Sequence, residues 1–247
     1  MRTTLPDLET FFNRLRALSS PTQNGSHRAP EEFFRQAIDL RDLVGEERMR
    51  TAKRFNVFEA LGVATDEVVH SRFLGYLLDP RARHDQGKRF LESFLTMAGL
   101  ADFLLSAADA EQLSVWTEWP IHNGRIDIAA FIGDSTVVCV ENKIWAVEQE
   151  DQIARYQRWL SGIASRSAVV FLTPDGRAAN TALAESGDTT TRVIQVSYSD
   201  IARWLDNLSQ SVPPSLSIIL KMYRDACKQI AMMARVPGSF STTMGER

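Results

Sequence analysis

Histidine and cysteine are scarce in this chain of 247 residues, which has four of the first and two of the second. His27, His84 and His122 lack the spacing of a zinc site, and two lone cysteines do not complete one. Cys139 lies in an apolar strand segment and Cys227 in a helical one, too far apart to read as a disulfide framework. Both are expected as free, buried thiols in a reducing compartment. Long apolar runs are missing as well. None reaches the length that spans a bilayer, and the opening MRTTLPDLETFF has no signal-peptide stretch. The expectation is a cytoplasmic protein with no membrane partner. No large excess of charge is present either: a formal charge of −3 argues against broad coating of nucleic acid. A local basic cleft stays open, and Arg81–Arg89 is its candidate beside the plainer reading of a solvated loop. P-loop, GxGxxG and GxSxG motifs are absent, so NTPase, dinucleotide-binding and serine-hydrolase readings have no support.

What is present is enough apolar residue, 44% of the chain, to build a substantial core. Leu8, Phe11, Phe12, Leu15 and Leu18 follow helical spacing, and Ser19–Pro30 reads as a linker. Helical pattern returns from Glu31 to about Lys53, with a candidate break near Gly45, then from Asp66 to Leu78 and from Lys88 to Met97. After Ala110 the grammar changes. Leu113–Ile121, Arg125–Ile132 and Thr136–Lys143 read as strands. Glu148–Leu160 follows as a helix, then Ala168–Leu172 and Arg192–Tyr198 as strands, with closing helices at Asp200–Leu208 and Leu216–Met233. The order helix, three-strand meander, helix, strand predicts an α/β core with a mixed sheet flanked by helices. Residues 1–54 are expected as an N-terminal helical extension, 55–236 as the α/β domain and 237–247 as a disordered tail.

The most informative residues lie in GRIDIAAF and VVCVENKI. If Ile132 pairs with Thr136 across Gly133-Asp134-Ser135, Asp127 falls opposite Glu141, and Lys143 lies two residues further on the same face. Facing carboxylates repel, so stability alone does not account for them. Phe131, Val137 and Cys139 share that face, which should therefore be buried, and buried charges are paired or bind metal. A hard cation such as Mg²⁺ or Mn²⁺, held by Asp127 and Glu141 and sharing its remaining positions with water and phosphate oxygens, satisfies both conditions. Such an ion acidifies bound water and offsets charge in a phosphoryl transition state, with Lys143 placed to orient the water or help deprotonate it. Gln152 and Tyr156, at i and i+4, share one helix face. Glu67, His70, Ser71 and Leu74 share another, where His70 and Ser71 are candidate phosphate contacts. Arg125 and Asn142 flank the acids as supporting residues, Asn142 pointing to the opposite face. Among the tryptophans, Trp145 stands next to the acid-bearing strand and is the candidate for stacking on a base.

These segments resemble the PD-(D/E)XK nuclease superfamily, with Asp127 matching the first acid and Glu141-Asn142-Lys143 the second motif. The proline of the formal motif is replaced by Arg125-Ile126 ahead of the aspartate. NVFEALGVATDEVVHSRFLGYLLDP, GRIDIAAF, VENKI and QIARY, in that order, are similar to a bacterial group within it. The resemblance implies a restriction-endonuclease-like αβββαβ core and Mg²⁺- or Mn²⁺-dependent phosphodiester hydrolysis, with DNA ahead of RNA as substrate. Glu67 corresponds to the glutamate that often completes the metal site, with Asp66 and Glu59 as fallbacks. Gln152 and Tyr156 match a QxxxY motif whose side chains contact the substrate backbone or metal-bound water. Two other readings stand beside the nuclease: an inactive module that binds nucleic acid or protein, and a partner-activated component of a defence, restriction or repair system. Homo-oligomer formation, strand preference and target sequence stay open.

Overall fold

A computed structural model of the chain describes residues 28–52, 54–103, 112–183 and 191–234. The expected helix at Leu8–Leu18 and the tail from residue 237 lie outside these. Contacts group the chain into two units, residues 1–55 and 56–247. In the first, α1 (Arg28–Thr51) is a single helix. It begins inside the expected linker, because Pro30 in a first turn gives up no hydrogen bond that turn could have made. It also runs through Gly45, where one glycine costs only about 1 kcal/mol.

The second unit holds α2 (Val57–Ala60), α3 (Glu67–Leu78) and α4 (Arg89–Met97), then strands β1 (Leu113–Ile121), β2 (Gly124–Ile132) and β3 (Thr136–Asn142). Helix α5 (Gln152–Ile163), strands β4 (Arg166–Thr173) and β5 (Arg192–Ser197), and helices α6 (Tyr198–Ser209) and α7 (Pro214–Met233) complete it. The five strands stand side by side in chain order. β1, β2 and β3 form an antiparallel meander, and β4 and β5 join parallel to β3. This is the mixed α/β sheet the sequence predicts.

The larger core lies on one face, where Val138 and Val140 of β3 pack with Leu74, Leu78, Phe94, Leu205 and Tyr223 from α3, α4, α6 and α7. The smaller core, with Val137 and Cys139, is covered by Ile153, Tyr156 and Leu160 of α5. Covered on both faces, β3 is buried at every position and β4 at all but Arg166, and each carries an unbroken apolar run, residues 137–140 and 168–172, where an exposed strand would alternate. Ile132 pairs with Thr136 across the Gly133 turn, whose φ of +58° suits glycine, so the register is the expected one.

Among the boundaries that differ from expectation, two have a visible cause. α5 begins at Gln152 rather than Glu148, because the Glu148 carboxylate is drawn to the backbone N–H groups of Asn180 (2.7 Å) and Thr181 (2.9 Å). Tyr198 leaves the strand to open α6, behind a capping box made by Ser197 and Asp200.

Helix α3 lies close to the meander because Gly75 has no side chain: a Cβ there would stand 2.5 Å from Cγ2 of Thr117. Gly75→Ala should therefore destabilise the protein by about 1–3 kcal/mol through overpacking. In a Thr117→Ser background, which removes that methyl, the same change should stabilise by up to about 1 kcal/mol through helix preference. Melting midpoints of the four proteins test this, and an equal effect of Gly75→Ala in both backgrounds rules the close contact out.

Candidate active site

Regular pairing of β2 with β3 ends at Ile128↔Val140, one position short of Asp127 and Glu141. There the backbone N–H of Asn142 donates to Oδ2 of Asp127 (2.8 Å), a side chain in place of a strand partner. On the other side of β2, Glu118 breaks the regular line of β1. It lies between the pairs Thr117↔Ile128 and Trp119↔Ile126 with φ at +55°, a left-handed backbone costing about 1–2 kcal/mol for a residue with a side chain. The sheet thus loosens on both sides of Asp127, and a cavity of about 400 Å³ opens there.

Five expected residues meet at this cavity: Asp127, Glu141, Lys143, Gln152 and Tyr156. Glu141, 1% exposed, is the hub. Its Oε1 accepts from Lys143 Nζ and from Gln152 Nε2, both at 2.7 Å. Gln152 Nε2 also reaches the Tyr156 hydroxyl at 3.0 Å. That hydroxyl stands 2.7 Å from the Arg125 carbonyl and 3.0 Å from Glu141 Oε2, and its single proton serves one of them at a time. Gln152 and Tyr156 share a helix face as their spacing requires, and both lie within hydrogen-bond distance of the Glu141 carboxylate.

Burial, then the neighbouring Asp127 charge, pushes the Glu141 carboxyl up to about 7, against the pull of Lys143 and Tyr156. Burial also raises Asp127, opposed by the Asn142 N–H and Lys143. Burial works against the Lys143 ammonium, yet Glu141, Asp127 and Glu67 hold it above the ordinary lysine value. Lys143 therefore stays protonated at neutral pH. It can orient an oxygen nucleophile but is a poor acceptor of that oxygen's proton, which narrows the two roles open to it in the sequence.

Three expected residues do not reach the cavity. Glu67 Oε1 accepts the backbone N–H groups of Ile144 (2.8 Å), Trp145 (2.8 Å) and Ala146 (3.0 Å), bracing the turn that follows Lys143. Among the described residues no three His, Cys, Asp or Glu side chains are grouped to hold a metal ion, and the Glu67 carboxylate faces this turn. His70 is buried among Phe58, Tyr198 and Tyr223, with Nε2 on the Ala64 carbonyl. Ser71 is buried too, donating to the Glu67 carbonyl and accepting from Asn142. Proposed from the sequence as phosphate contacts, both instead lie buried where α3 packs beside Asn142, on the side of β3 opposite Glu141. Asn142 bonds the Glu67 carbonyl, Ser71 Oγ and the Tyr198 hydroxyl (2.8 Å).

The basic window from Arg81 to Arg89 does not line the cavity. Arg81 lies over the Trp116 ring and pairs with Asp79, while Arg89 bonds Ser211. Trp145 is half exposed on the braced turn, its indole N–H on the Thr65 carbonyl. Sequence reasoning missed Glu118 and Arg155 on the cavity wall. Arg155 had a signal, lying at i+3 from Gln152 on the same helix face. Glu118 lies across from Asp127 in the β1–β2 register, a placement that follows only once that pairing is known.

A meander followed by a helix and two parallel strands, with an acid pair and a lysine where β2 and β3 part, defines a restriction-endonuclease-like fold. A family model described as the PD-(D/E)XK nuclease superfamily matches residues 55–224, and the chain belongs to that superfamily. Its members are generally phosphodiesterases that typically use divalent metals. No curated protein and no solved structure matches the chain. Among the described residues, no helix is long and apolar enough to cross a membrane.

A carboxyl whose affinity for protons rises on folding holds its proton more tightly in the folded state than in the unfolded one. Stability should then fall as pH rises from the ordinary glutamate value of 4.5 to about 7 and level off above it. For Glu141 the full effect is on the order of 3 kcal/mol. Without divalent cations, Glu141→Gln should accordingly be more favourable to stability, relative to wild type, at pH 8 than at pH 5. A wild-type-to-variant difference in melting midpoint that stays constant from pH 5 to 8 contradicts this.

Proposed function

We propose that the chain is a metal-dependent nuclease that hydrolyses phosphodiester bonds, with DNA as its substrate. The observation carrying this reading is the convergence of Asp127, Glu141 and Lys143 on one cavity at the open end of the meander. The donor set suits Mg²⁺ or Mn²⁺. Both carboxylates are hard oxygen ligands, each is raised in pKa by burial and by neighbouring acid, and Oδ1 of Asp127 accepts no hydrogen bond among the described residues. Mg²⁺ commonly binds through one or two carboxylates and keeps several waters. Asp127 and Glu141 would hold it; when bound it supplies acidification of water and neutralisation of charge on the phosphoryl oxygens.

The remaining chemistry belongs to this chain's side chains. Lys143, protonated and held at Glu141, orients the attacking water and offsets negative charge as it builds on the phosphate. Gln152 and Tyr156 fix the Glu141 carboxylate and line the cavity beside it. Glu67 acts through position: by clamping three successive N–H groups it fixes the turn leaving Lys143, and with it the path of that side chain. An intact acid, acid and lysine set supports an active enzyme over an inactive module. A role in defence, restriction or repair is compatible with this chemistry.

Linear and circular duplex, single-stranded DNA and RNA, each with Mg²⁺ or Mn²⁺, test the reading. The wild-type chain should cut DNA, and Asp127→Ala and Lys143→Ala should each lower the rate by about 1000-fold or more, roughly 4 kcal/mol of transition-state stabilisation. Mn²⁺ should raise the melting midpoint of wild type and leave that of Asp127→Ala nearly unchanged. Cutting at equal rates by all three proteins overturns the assignment.

A further inference from the structure

We propose that Arg155 is the phosphate-binding residue of this site, gripping the backbone of the nucleic acid strand as it enters beside Asp127 and Glu141. The inference deepens the nuclease reading and rests on it for the identity of the anion. Three cations line the cavity, and two have carboxylate partners: Lys143 with Glu141 at 2.7 Å and Arg125 with Glu118 at 3.1 Å. Arg155 forms no ion pair among the described residues. The nearby Asp151 carboxylate is already held by Arg158 at 2.6 Å, one turn below. The guanidinium of Arg155 makes a single hydrogen bond, from Nη1 to the Glu150 carbonyl (2.9 Å), while its Nε is buried with no partner.

That distribution has a direction. Nη1 is tied back to the loop before α5, which fixes the plane of the group and leaves the edge formed by Nε and Nη2. This edge carries two parallel N–H groups, the fork that receives two oxygens of a phosphate once a small shift of the side chain uncovers Nε. A buried donor left without an acceptor costs about 1–3 kcal/mol, a penalty that an entering anion removes. Gly124 packs beside this edge, since a Cβ there would stand in van der Waals contact with Nη2 at 3.8 Å. On α5, Arg155 shares a face with Gln152 and Tyr156, so the helix that steadies Glu141 also carries the unpaired cation. A phosphodiester strand matches it: a singly charged, two-oxygen acceptor repeating along a chain, with one phosphate at the acids and another within reach of the arginine.

The test separates binding from cutting. In an Asp127→Ala background, which leaves the strand uncut, affinity for a fluorescein-labelled DNA oligonucleotide is measured by anisotropy across a salt series, with and without Arg155→Ala or Arg155→Lys. Arg155→Ala should weaken binding about tenfold or more, whatever the sequence, and lower the slope of log Kd against log salt by about 1. Arg155→Lys keeps the charge and should keep the slope, while losing part of the affinity with the fork. In the otherwise wild-type enzyme Arg155→Ala should raise KM far more than it lowers kcat, with the melting midpoint equal to or above that of wild type because the unpartnered buried donor is gone. Equal Kd and equal salt slopes with and without the Arg155→Ala change overturn the proposal, even if the wild type cuts DNA. So does a lysine variant whose salt slope falls as far as that of the alanine variant, since only packing would then be at stake. Binding that depends on Arg155 without any cutting by wild type upholds the contact and removes the nuclease reading, and a chain that neither binds nor cuts removes both.

Discussion

Placing Asp127 and Glu141 on neighbouring strands, both largely out of water, sets two like charges against each other where neither is well solvated, and the polar contacts around them offset that repulsion. The Asn142 N–H, the Lys143 ammonium, the Gln152 amide and the Tyr156 hydroxyl are all directed at one or other carboxylate. These contacts restrain the pair without neutralising it, since both carboxyls still hold protons above their ordinary range. Removing one partner of a buried charged group typically costs about 3–5 kcal/mol, because the other is left uncompensated. The site is thus held in place by groups that could not be dropped singly, which is how a strained arrangement survives in a stable unit.

The tripeptide Glu141-Asn142-Lys143 works on both faces of the sheet at once. Strand alternation sends Glu141 and Lys143 toward α5 and the cavity, and Asn142 toward α3 and α6. The two sides are coupled through Glu67, whose carbonyl accepts from Asn142 while its carboxylate holds the turn beyond Lys143. Meanwhile β4 keeps β3 straight to the end: pairing with β4 continues through Asn142↔Leu172, and the Lys143 N–H reaches the Leu172 carbonyl at 2.9 Å. The strand therefore parts from β2 alone. That one-sided release makes room at Asp127 while leaving Glu141 and Lys143 on a rigid base.

Much of this was legible because it rests on local rules. A three-residue turn and a period of two suffice to put Asp127 across from Glu141 and Lys143 on the same face, and i, i+4 spacing brings Gln152 and Tyr156 together. What escaped depends on tertiary competition. Glu67, His70 and Ser71 share a helix face in the sequence, but which way that face turns is decided by Asn142 and the aromatic cluster of Phe58, Tyr198 and Tyr223, contributed by distant parts of the chain. The start of α5 moved because Glu148 found backbone donors in the loop after β4, a partner no periodicity encodes. Glu118 escaped because its place across from Asp127 follows only once the β1–β2 pairing is known.

The charges on the cavity wall bear on how the proposed chemistry would be ordered. Glu118, Asp127 and Glu141 stand against Arg125, Lys143 and Arg155, formally three of each sign. A phosphate approaching this balanced wall meets nearly as much repulsion from the acids as attraction from the bases. With a divalent cation at Asp127 and Glu141 the balance becomes positive, and at an effective dielectric near 20 two unit charges 4 Å apart interact by about 4 kcal/mol. Cation and strand would then favour each other's binding, a coupling that follows from charge alone and needs no change of fold. Arg155, unpaired before either arrives, gives the strand a fixed point of attachment that does not compete with the carboxylates for the cation. Separating the residue that would hold the strand from those that would hold the ion would let the meander keep its one rigid geometry.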